Sequence, residues 1–62
     1  MEDNRLNYVI HVEGFDGKCF CYARRDTYEE ARQLVEERNL TDRFDYVEIV
    51  YNKIVWSCNR EH

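Results

Sequence analysis

The residues with the most chemistry to offer are Cys19 and Cys21, separated by one phenylalanine. Such a pair can be half of a metal site, a redox couple, or two small apolar side chains on a strand. Spacing separates these readings. On an extended chain, residues i and i+2 point the same way, about 6.8 Å apart. A disulfide needs Cβ atoms about 3.8 Å apart, so Cys19 and Cys21 cannot bridge each other while extended. Structural zinc sites use a wider C-x₂₋₄-C spacing and two more ligands. Cys58 is expected on the far edge of the sheet, about 14 Å away at about 4.8 Å per strand, and His11 on the opposite face. The two cysteines are therefore read as small core residues, and no metal or other cofactor is expected.

Little else suggests catalysis. Enzymes need a base, a nucleophile and an orienting group that meet in a pocket. Ser57 is the one serine, with no nucleophile-elbow spacing around it. Gly14 and Gly17 suit a hairpin rather than a phosphate cradle. The carboxylates are scattered or lie on a helix. The expectation is a protein without enzymatic activity. Glu61 and His62 have the character of a tag remnant and carry no weight.

Composition narrows the partners. The chain has 62 residues, and thirteen acidic against nine basic side chains give a formal charge of −4. Nucleic-acid binding depends on Lys and Arg neutralising phosphates, so this balance argues against it. Three cysteines cannot all pair with one another, which points to a reducing compartment. The start "MEDNRLN" lacks a signal-peptide pattern, and no apolar run reaches the roughly 20 residues of a membrane span. The expected setting is the cytoplasm. The length corresponds to a single domain, residues 1–62, which buries only about 60% of its unfolded surface and gains much from a partner.

The elements follow from pattern. "LNYVIHVE" is rich in β-branched and aromatic residues and reads as a strand. Asp16-Gly17 suits a two-residue hairpin turn, returning into "KCFCYAR" with Val12 opposite Cys21 and Ile10 opposite Ala23. Thr27 with Glu30 forms a capping box for "YEEARQLVEERN". Tyr28, Ala31, Leu34, Val35 and Arg38 line one side of that helix, and Glu29, Arg32, Gln33, Glu36 and Glu37 line the other. Asn39 stops it in the left-handed region, and Leu40 folds back onto the core. "RFDYVEIVYNKIVWSCN" reads as a second hairpin turning at Asn52-Lys53, with Tyr51 opposite Ile54, Ile49 opposite Trp56 and Val47 opposite Cys58, all six on one apolar face.

Strand, strand, helix, strand, strand gives an α+β fold. A four-stranded antiparallel sheet of order 2-1-3-4 should carry the helix on one face. The helix is expected to cover Ile10, Val12, Cys19, Cys21, Ala23, Val47, Ile49 and Trp56. The other face, with Phe44 among its members, would then expose Val9, His11, Phe20, Tyr22, Tyr46, Val50 and Val55. An uncovered apolar and aromatic patch marks an interaction site. Those seven residues are the candidate protein-binding surface, for a foreign protein or a second copy of the chain. Aromatics on a sheet also suit base stacking, but Arg24 is the one cation expected near them. RNA or metal binding is the weaker alternative, and the acidic helix side is read as solvated.

"YVIHVEGFDGKCFCYAR", "DTYEEARQLVEE" and "FDYVEIVYNKIVW" together resemble the short ββαββ accessory proteins of bacteriophages and mobile elements. Some of these, including anti-CRISPR proteins, bind and block host defence or nucleic-acid enzymes. The resemblance implies inhibition of a host protein. It is one of pattern, so it carries over no functional residue.

Overall fold

β1 (Tyr8–Glu13) alternates buried Ile10 and Val12 with half-buried Val9, His11 and Glu13. β3 (Tyr46–Val50) does the same with buried Val47 and Ile49. This period of two is what one covered and one open sheet face requires. The computed structural model describes residues 7–59. Leu6, expected at the start of the first strand, and the terminal Glu61 and His62 lie outside them.

β2 (Cys19–Arg25), α1 (Tyr28–Glu37), a short α2 (Leu40–Arg43) and β4 (Ile54–Asn59) complete the fold. The sheet order is β2-β1-β3-β4, antiparallel throughout, as the element order implied. Thr27 caps α1 by accepting the Glu30 N–H at 3.1 Å, which satisfies one of the helix's orphan donors. Asn39 takes the left-handed conformation, φ 52°, between the two helices. Arg38 forms the C-cap of α1 and is exposed rather than core-facing.

Ile10, Val12, Val47 and Ile49 meet Ala31, Leu34, Val35 and Leu40 in one core. Burying each Leu or Ile there contributes about 1.5–3 kcal/mol. Around the core, Tyr8 stacks on Tyr51 at 4.2 Å and meets the edge of Tyr28 at 6.2 Å. The Arg32 guanidinium lies 4.4 Å over the Trp56 ring and donates to Glu36 at 3.1 Å. Arg32, expected on the solvated side of α1, thus holds the helix against the β4 edge.

Both hairpins depart from the expected register. In the first, the Gly14 N–H donates to the Lys18 carbonyl and the Gly17 N–H to the Gly14 carbonyl. The loop is therefore Phe15-Asp16-Gly17, not Asp16-Gly17 alone. Gly17 takes φ +86°, the left-handed position that ends a three-residue loop. The Asp16 carboxylate helps close it by accepting the Lys18 N–H at 3.1 Å. The extra loop residue shifts the pairing by one, so His11 opposes Cys21 and Val12 opposes Phe20. A bulge at Tyr22 absorbs the shift, and Ile10 meets Ala23 as expected.

A one-residue shift turns each side chain to the other face. Cys19 and Cys21 are therefore not core residues: both are exposed, on the face opposite the helices. Phe20 and Tyr22 make the reverse move. Their rings meet Phe44 edge-on at 5.8 and 6.1 Å, on the helix side. Phe44 itself was expected on the open face. It precedes β3, in the extended residue that closes α2, and packs against the core.

The second hairpin repeats the device on a smaller scale. Val50 opposes Ile54, so residues 51–53 form the loop, with Asn52 at φ 67°. Val55 is the bulged residue, and beyond it Ile49 meets Trp56 and Val47 meets Cys58 as expected. Ile54 alone changes side, from the helix face to the open one. Among the described residues, no helix is long and apolar enough to cross a membrane.

Candidate functional site

The open face of the sheet is organised in rows that run across the strands, because directly opposed residues share a face. The middle row is Cys21, His11, Glu48 and Ser57. Towards the first hairpin lies the row Cys19, Glu13, Tyr46 and Asn59. On the other side, towards the second hairpin, lies Arg24, Val9, Val50 and Ile54. Two rows are therefore polar and one is largely apolar.

Of the seven candidate residues, Val9, His11, Tyr46 and Val50 are on this face. Phe20 and Tyr22 are on the other, for the reason given by the loop and bulge. Val55 stands out of register at the second bulge and is 38% exposed. Ile54, which the sequence reading placed under the helix, joins the open face and is 55% exposed. The missed signal was the length of the loop. Phe15-Asp16-Gly17 with glycine in the left-handed position competes with a two-residue Asp-Gly turn, and local sequence does not separate them.

The two polar rows enclose a cleft of about 290 Å³. His11, Glu13, Cys19, Cys21, Tyr46 and Glu48 line it, together with Val12 and Phe20 of the same strands. Glu48 organises the centre. Its Oε1 accepts the Tyr46 hydroxyl at 2.8 Å, and its Oε2 lies 3.1 Å from His11 Nδ1. An ionised carboxylate only accepts, so His11 Nδ1 carries the hydrogen and Nε2 does not when the ring is neutral. The Glu48 carboxylate, by accepting the hydrogen bond of the Tyr46 hydroxyl, holds that phenol above its ordinary 10.0; burial adds to the shift and a hydrogen bond with Ser57 opposes it.

Among the described residues, no group of three His, Cys, Asp or Glu side chains is gathered to hold a metal ion. What the cleft does hold is two thiols, an imidazole and two carboxylates on three adjacent strands. The Glu48 carboxylate sets the tautomer of the imidazole, and His11 stands directly opposite Cys21 in the β1–β2 register. No protein-family model matches this chain, and comparison with curated proteins and with solved structures finds no match.

Proposed function

We propose that this protein is a non-enzymatic binding module that presents the helix-free face of its sheet to another protein. The observation that carries the reading is the apolar row beside the cleft. Val9 and Val50 lead to Ile54 at 55% exposure, with Val55 at 38% next to it. An antiparallel sheet tolerates water on one face, but it has no need to end an apolar row in a bare isoleucine. Aliphatic surface of this kind is stabilised by a partner.

The surface differs from the one expected from sequence. It is aliphatic at one end and polar at the other, without the Phe20 and Tyr22 anchors. Glu13 and Glu48 on the same face repel phosphates, which disfavours a nucleic-acid ligand there. The resemblance to phage accessory proteins supports a sharper form of the reading: a partner that is a host defence or nucleic-acid enzyme, inhibited by occlusion.

The test is a pair of surface variants compared with the native chain in capture from lysate. Ile54→Glu with Val50→Glu should abolish retention of the partner, while Glu37→Lys on the far side of α1 should leave it intact. Equal retention by all three would refute the assignment of the face. Light scattering covers the alternative occupant: a dimer that Ile54→Glu converts to monomer identifies a second copy of the chain.

A further inference from the structure

Cys19, Cys21 and Cys58 are all free thiols, but their settings differ. Cys58 lies opposite Val47, and Cys19 opposite Glu13. Cys21 alone lies opposite a histidine, and that histidine is held by Glu48 from the next strand. Residues directly opposed on antiparallel strands have Cβ atoms about 4.5–5.5 Å apart, within reach of a thiol and an imidazole. The Cys21 Sγ donates to the Ala23 carbonyl over 4.0 Å, a long and weak contact, and a turn about χ1 would bring it to the imidazole.

A nucleophile beside a base, with the base oriented by a third group, is the arrangement that activates a thiol. We propose that Cys21 is a site of reversible thiolation by small disulfides that carry amino groups. His11 is its base and Glu48 its positioning residue. Cys21 passes its proton to His11 Nε2, and the thiolate attacks one sulfur of the disulfide. The new S–S bond forms as the old one breaks, and the leaving thiolate takes the proton back from the imidazolium. One disulfide is consumed, one mixed disulfide and one free thiol result, and the small disulfide is the oxidant.

Two features set the outcome. Cys19 is two residues along the same strand, about 6.8 Å away. That is too far to displace the bound group by bridging, so the mixed disulfide persists. Glu13 and Glu48 line the same cleft, so its negative charge favours a cationic disulfide over an anionic one.

The experiment treats the native chain with cystamine, and separately with oxidised glutathione, and follows each cysteine by mass spectrometry. Single Cys19→Ser and Cys21→Ser variants separate the neighbouring thiols. Cystamine is expected to modify Cys21 about tenfold faster than Cys19, and oxidised glutathione to react more slowly at Cys21 than cystamine does. His11→Gln should reduce the Cys21 rate to that of Cys19 and leave Cys19 unchanged. Equal rates at Cys19 and Cys21 in the native chain, or a Cys21 rate indifferent to His11→Gln, would overturn the proposal. If His11→Gln unfolds the chain, the Cys21 to Cys19 ratio in Glu48→Gln decides: a fall supports the assignment and no change refutes it.

Discussion

The two hairpins use the same device with different consequences. Each has a three-residue loop where two residues were expected, and each restores the register with one bulged residue on its outer strand. In β1–β2 the loop and the bulge at Tyr22 are far apart, and the whole of Cys19–Cys21 lies between them on exchanged faces. In β3–β4 the bulge at Val55 follows the loop at once, and Ile54 alone is exchanged. The number of residues between loop and bulge decides how much of a strand changes sides. The first hairpin thereby acquires the cleft, and the second acquires the exposed aliphatic end. Bulges on both outer strands also roughen the edges that a foreign strand would pair with.

The largest expected effect probes the first hairpin. Phe44→Ala removes the ring on which Phe20 and Tyr22 rest and should cost about 2–3 kcal/mol in urea denaturation. A double-mutant cycle with Phe20→Ala should give a coupling of about 0.5–1.5 kcal/mol. Coupling near zero would return Phe20 to the open face and dissolve the contrast between the hairpins.

Loop chemistry gives a smaller contrast. Gly17→Ala places a Cβ at φ +86° and should cost about 1–2 kcal/mol. Asn52→Gly, at φ 67°, relieves a milder strain and should change stability by no more than about 0.5 kcal/mol, in the stabilising direction. Equal effects at the two positions would mean that the loops are not equivalent in the way described.

The smallest effect concerns the cleft. The folded Tyr46 phenol is held above 10.0, so folding favours its protonated form. That contribution is fully present below pH 10 and is lost as the pH rises through the raised value. Tyr46→Phe should flatten the alkaline decline of the thermal midpoint relative to the native chain. An unchanged decline would mean that Glu48 does not hold the phenol.

Much of the fold was legible because its signals are local. The alternation in "YVIHVE" and "YVEIV" marked β1 and β3, and their buried residues are those expected. Thr27 marked the helix start and Asn39 its end. The helix α2 was not anticipated, since the segment around "LTDR" was short and carried no helical period of its own. The candidate surface was half legible. Val9, His11, Tyr46 and Val50 lie on strands whose register is held by the central pairing of β1 with β3. Phe20, Tyr22, Cys19, Cys21 and Ile54 lie on the edge strands, where one loop residue more or less inverts the face.

Sequence by itself determined the strand and helix periods, the cap of α1, and therefore the order and layering of the elements, because each depends on residues close along the chain. Only the tertiary structure decided which side of the sheet holds the thiols and which holds Phe20 and Tyr22. That choice depends on loop length and on a bulge at Tyr22. On the helix side, Phe20 and Tyr22 meet Phe44, more than twenty residues downstream. A contact over that distance leaves no trace in the local pattern.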